Sequence, residues 1–131
     1  MNNIELEKEI EKIANSLIYE KGYVCAVDTL MRLDYISKTD YENWRFGRVD
    51  YLERVCKINF SKLSYISRTI RKIASDLQLE KSKTGYNQYG KGVKRRLKFS
   101  KSGDKNIEDA YATHFVDKKR INELKTNKAS V

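Results

Sequence analysis

The chain has 131 residues, enough for one domain around one core, and Lys plus Arg outnumber Asp plus Glu 27 to 18 for a formal charge of +9. That balance argues against a cationic partner and for an anionic one: nucleic acid, an acidic protein or an anionic membrane surface. No stretch approaches the roughly 18 consecutive apolar residues of a membrane span, and no charged-then-apolar leader opens the chain, so a soluble cytoplasmic protein without a membrane partner is expected.

Asn3 is placed to cap a first helix running to about residue 20, with Ile4, Ile10, Ile13, Ala14 and Leu17 as its buried stripe. Its charges are Glu5, Glu7, Glu9, Glu11 and Glu20 against Lys8 and Lys12, so an anionic partner is expected to approach from another side. The stripe can also pair with a copy of itself, which makes a homodimer the alternative to packing on its own core. Gly22 reads as the C-cap. Residues 24–33 read as a second helix with Val24, Val27, Leu30 and Met31 inward. Ser37 or Thr39 caps the next helix, where Asp40 and Glu42 suit the positive end of the dipole. That helix holds the only Trp, Trp44, beside Arg45, Phe46 and Gly47. Trp44 is expected as a core anchor; an exposed Trp44 with Arg45 would instead make a base-stacking platform. Asp50 is placed to cap a short helix through Leu52, Val55 and Cys56.

Residues 59–79 carry the strongest amphipathic pattern: Leu63, Ile66, Ile70, Ile73, Ala74 and Leu77 at steps of three and four, with Asn59 or Ser61 as cap. The other face presents Ser64, Ser67, Arg68, Arg71, Lys72 and Ser75. Hydroxyls donate to phosphate, and Arg forks onto phosphate or guanine, so this face suits a groove-reading helix. Residues 81–101 follow with eight cations (Lys81, Lys83, Lys91, Lys94, Arg95, Arg96, Lys98 and Lys101) and no Asp or Glu. Tyr86, Tyr89 and Phe99 are interleaved, and Gly85, Gly90 and Gly92 punctuate the run. A two-stranded β-hairpin is expected over 84–100, with arms 84–89 and 95–100, because Leu97 and Phe99 alternate with Arg96, Lys98 and Ser100. An Arg/Ser-faced helix followed by a basic hairpin resembles a winged helix-turn-helix module over residues 40–100. The resemblance implies that the helix enters a groove while Lys91, Lys94, Arg95, Arg96 and Lys98 of the hairpin lie along phosphates.

Residues 107–116 read as a last helix with Ile107, Ala110, Tyr111 and Phe115 inward. The domain is expected to span 1–117, leaving 118–131 as a basic tail in which Ile121 and Leu124 extend the helix and 126–131 are disordered. Gly85 to Gly92 approaches a phosphate-binding P-loop, but Gly92 stands where that loop needs Ser or Thr. Cys25 and Cys56 lie in apolar patterns and read as buried, reduced thiols; with His114 as the only His they do not make an ordinary zinc site, so no metal or cofactor is expected. Tyr111, His114 and Asp117 are spaced to form a row on one helix face.

The expectation is a mostly α single domain with a two-stranded hairpin, like a winged helix-turn-helix. It would be a small basic nucleic-acid-binding protein, a DNA-binding regulator or accessory factor with duplex DNA as first partner. One alternative is a module that engages an acidic protein, as an antitoxin or a phage inhibitor of host defence would. Another is a metal-dependent nuclease built from Asp40, Glu42, Asp50, Glu53, Asp104, Glu108 and Asp109, whose spacing is not distinctive. The Lys/Asn/Ile-rich composition points to an AT-rich bacterial or phage genome.

Overall fold

The computed structural model describes residues 2–129. Its elements run α1 (Asn3–Lys21), β1 (Tyr23–Cys25), α2 (Ala26–Arg32), α3 (Lys38–Arg45), a 3-10 turn (Leu52–Val55), α4 (Phe60–Asp76), β2 (Glu80–Lys83), α5 (Lys105–Ala112), β3 (Thr113–Val116) and α6 (Lys118–Ala129). The fold is mostly helical, with a small three-stranded antiparallel sheet in the order β1-β3-β2.

Asn2, one residue earlier than expected, caps α1 by accepting the Glu5 N–H at 2.9 Å. Leu6, Ile10, Ile13, Ala14 and Leu17 are buried, while Ile4 is 68% exposed. Ile4 is two residues from Leu6, which turns it to the opposite side of the helix. Gly22 ends α1 at φ 83, and its N–H donates to Ile18 O at 2.8 Å. A Cβ there would collide with Ile121, so glycine is required twice over.

The sheet corrects the expected two-stranded hairpin: its three strands come from 23–25, 80–83 and 113–116. Tyr23 to Cys25 starts as strand rather than helix, pairing Val24 with Phe115 and Cys25 with His114. Residues 113–116, expected as a helix end, form the central strand. Within 84–100 the arms touch as a pair at Asn87 and Arg96, with the Leu97 N–H donating to Tyr86 O and the Gln88 N–H to Arg95 O, both at 2.8 Å. No longer ladder forms because the second arm's carbonyls are taken by other elements. Lys98 O and Phe99 O accept from the Leu52 and Glu53 N–H groups of the 3-10 turn at 3.2 and 2.9 Å. Phe99 and Ser100 are also both buried, which breaks the alternation a ladder would keep.

Four smaller boundaries differ from expectation. Tyr51, not Asp50, precedes the 3-10 turn. Leu77 lies beyond α4 and is 49% exposed, because Gln78 at φ 55 redirects the chain into β2. Cys56 is half-buried rather than buried. The expected tail is helical through Ala129; the expectation for Ser130 and Val131 lies outside the described residues. The tail folds because Asp117 Oδ1 accepts the Arg120 N–H at 3.0 Å and Arg120 Nε donates to Tyr19 O at 2.8 Å, tying α6 to α1.

Trp44 sits at the centre of the core with none of its surface exposed. Its ring lies 5.6 Å from Tyr86 and 5.4 Å from Phe99, and its Nε1–H donates to Lys98 O at 2.8 Å. Among the described residues no helix is long and apolar enough to cross a membrane.

Candidate nucleic-acid interface

Asn59 caps α4, its Oδ1 accepting the Lys62 N–H at 2.8 Å, and Ile66, Ile70 and Ala74 are buried inward. Those inward residues turn Arg68 and Ser75 to solvent as the crest of the helix. Ser64, Ser67 and Arg71 lie on the flank toward α5, where they line a cavity of about 320 Å³ with Leu63, Ile107 and Tyr111. Lys72 lies on the other flank, 3.5 Å from the Glu7 carboxylate. The acidic α1, expected on the far side from an anionic partner, therefore runs alongside α4. Arg68 and Arg71 have no ion pair among the described residues.

The loop between β2 and α5 carries the second basic set. Its tip is open: Gly90 and Gly92 sit at φ 108 and 100 with empty space where a Cβ would stand, and Val93 is 94% exposed. Lys91, Lys94 and Arg95 are exposed, and Lys94 reaches back to Gly90 O. Arg96 is committed to the loop itself: it lies over Gly85, and its Nε donates to Asn87 Oδ1 at 3.1 Å. Lys98 donates to Lys101 O at 3.0 Å. The loop's base is held by Glu108. Its carboxylate accepts the Phe99 N–H at 2.9 Å, the Ser100 N–H at 2.8 Å and the Ser100 hydroxyl at 2.7 Å. Tyr111 stacks on Phe99 with centroids 5.2 Å apart and donates its hydroxyl to Glu53 at 2.8 Å. Burial, with Glu53 accepting its proton, holds that hydroxyl far above the usual tyrosine range.

The two sets are not brought together. Among the described residues no hydrogen bond, ion pair or ring contact links the α4 residues to Lys91, Lys94, Arg95, Arg96 or Lys98. The α4 residues are tied to α1 and the α5 cleft. The loop is tied to α3, the 3-10 turn and α5.

A third group escaped the sequence reading. Arg45 lies 4.0 Å from the Tyr89 ring centre and 5.1 Å from that of Tyr86, and its Nη1 donates to the Tyr41 hydroxyl at 3.0 Å. Burial outweighs Arg45 and pushes the Tyr41 hydroxyl up to about 12. Phe46 packs edge to face on Tyr89 with centroids 5.6 Å apart, and each ring is 43% exposed. The available signal was position: one aromatic stands just before Gly47 and the other just before Gly90, both turn residues.

His114 faces Cys25 across the β1–β3 pair rather than lining up with Tyr111 and Asp117. The Tyr86 hydroxyl joins them, 3.7 Å from Cys25 Sγ and 3.0 Å from His114 Nε2, and Tyr23 stacks on the imidazole at 4.7 Å. Burial pushes the Cys25 thiol up to about 12 and the imidazole below its ordinary value. Thiol and imidazole are thus both neutral near pH 7, a buried polar network rather than an activated nucleophile. Among the described residues no three of His, Cys, Asp or Glu gather as metal ligands would. No family model, no curated protein and no solved structure matches the chain.

Proposed function

We propose that the protein binds nucleic acid, with the exposed cations of the β2–α5 loop on phosphates and the crest of α4 toward the bases. One observation carries this reading. Of the eight cations between 81 and 101, only Lys83 has an acidic partner among the described residues, Asp109 at 3.2 Å. An ordered, firmly based loop that repeats one charge works against its own folding through self-repulsion, and a polyanion relieves this. The winged helix-turn-helix reading draws support from element order. Helix, strand, helix, a further helix, strand, basic loop and strand follow one another, with the last strand in the middle of the sheet. On that reading α3 and the 3-10 turn are inserted before α4, α5 is inserted after the loop, and duplex DNA is the first partner of a regulator or accessory factor.

The test is a salt titration of duplex binding. Replacing Lys91, Lys94 and Arg95 by Gln lowers the slope of log affinity against log salt by about 2–3, at roughly 0.9 per phosphate contact. Arg96 is left in place because it braces the loop. Arg68→Ala reduces discrimination between sequences by about 1–3 kcal/mol. A parent protein that binds neither duplex nor single strand at low salt removes the reading. The second reading, docking of an acidic protein, is favoured by the α4–α5 cleft. Its wall includes Phe60, 70% exposed, with Arg71 among the same lining residues.

A further inference from the structure

Trp44 is buried and cannot stack on a ligand, but the next aromatic along the chain can. Phe46 and Tyr89 stand edge to face, with ring centres 5.6 Å apart and planes at 76°. Their placement is fixed from below. The Tyr89 N–H donates to Arg45 O at 2.7 Å, and the Phe46 N–H donates to Glu42 O at 2.9 Å. Gln88 packs against Gly47, whose φ of 77 turns the chain out of α3. Cations alternate with the rings: Arg45 lies 4.0 Å from the Tyr89 centre and Arg48 5.2 Å from that of Phe46. Arg48 is steadied by Asn43 Oδ1 at 3.1 Å. The Arg45 Nε is buried without a hydrogen-bond partner, so this charge is held by rings rather than by an acid. Glu42, one turn before Phe46, is the nearest acid along α3. Lys91, Lys94 and Arg95 leave the same loop just beyond Tyr89.

We infer that Phe46 and Tyr89 form a stacking platform for the unpaired bases of a single-stranded nucleic acid. Exposed rings on a rigid base, interleaved with cations, match what such strands offer: a π-face on every base and a phosphate beside it. A duplex keeps its bases stacked on each other and has little use for the rings. An acidic protein would be served by the cations and would gain only apolar area from the rings. The inference rests on the nucleic-acid reading and assigns part of that surface to bases rather than phosphates.

The experiment compares three labelled probes by fluorescence anisotropy: a deoxythymidine strand of about 12 nucleotides, an abasic strand of equal length, and a duplex. The parent binds the thymidine strand at least about tenfold more tightly than the abasic one. Phe46→Leu with Tyr89→Leu weakens thymidine-strand binding about 10–100-fold, down to the abasic level, and leaves duplex binding unchanged. Leucine preserves apolar area, so loss points to the π-faces. Phe46→Leu alone leaves the rings around Arg45 intact and still loses part of the preference, which covers the case of a misfolded double variant. Equal binding of the thymidine and abasic strands by the parent, or an unaffected folded Phe46→Leu variant, overturns the inference while duplex binding keeps the nucleic-acid reading. Failure of the parent to bind any probe overturns both.

Discussion

Replacing Glu108 tests whether the basic loop is held as a unit. The carboxylate accepts two backbone N–H groups and one hydroxyl, all within 2.9 Å, from Phe99 and Ser100, which are 3% and 1% exposed. Bonds to a charged group contribute about 1.5–3 kcal/mol each, and three on one carboxylate share its charge, so they do not simply add. Glu108→Ala is expected to cost about 3–5 kcal/mol, since two buried N–H groups lose their acceptor at once. Glu108→Gln keeps one oxygen and is expected to cost about 1–2 kcal/mol. For a chain of this length that is a fall in melting temperature of roughly 10–20 °C for Ala and about 5 °C for Gln. Thermal unfolding followed by circular dichroism gives the ranking, and hydrogen exchange at the Phe99 and Ser100 amides gives the location. An Ala variant as stable as the Gln variant, or amides whose protection survives the loss of the carboxylate, would refute the reasoning.

Trp44→Ala is expected to cost about 3–5 kcal/mol, and Trp44→Phe about 1–3 kcal/mol because the smaller ring leaves a void and Lys98 O keeps only the Leu52 N–H of its two donors; parent-like melting of either would mean the ring is not the anchor. Burial raises both thiols to about 12, yet Cys25 is fully buried and Cys56 half-buried, so native-state alkylation read by mass spectrometry modifies Cys56 first; the reverse order contradicts the burial. His114 is held below its ordinary pKa, so the unfolded chain binds more protons than the folded one. Its contribution to stability is full above about pH 6.5 and is lost as pH falls through the folded value. His114→Gln, which cannot titrate there, should flatten the difference in melting temperature between pH 7 and pH 5, and an identical pH dependence would refute this.

Helices with an uninterrupted period were legible in the sequence: α1 and α4 appear within a few residues of their expected limits, with Asn59 capping α4 and Gly22 ending α1, and α3 starts at Ser37, one of its two expected caps. The sheet was not. Residues 80–83 are Glu-Lys-Ser-Lys, an all-exposed edge strand with no apolar alternation to betray it. Thr113 to Val116 continues the inward spacing of α5 through Tyr111 and Phe115, so periodicity alone carried the helix too far. The basic run was visible as charge. Which of its members are free was decided by how the loop folds back: Arg96 turns onto Asn87 of the opposite arm, and Lys83 pairs with Asp109 of α5. Phe46 and Tyr89 gave no periodic signal, because their exposure follows from turns at Gly47 and Gly90 rather than from a helix or strand face.

The central strand comes last in the chain, which sets an order on assembly. β2 waits for β3 across the loop and α5, whereas β1 waits across nearly the whole protein, a span about three times as long. Loop closure over that longer span costs about 1 kcal/mol more. The β2–β3 pairing is therefore expected to close first, and β1 then docks with Val24 and Cys25 against an existing edge. During synthesis neither outer strand has a partner until residue 116 has left the ribosome. Until then β2 is screened from pairing with other chains by Lys81 and Lys83, while the more apolar β1 depends on α1 and α2 for cover.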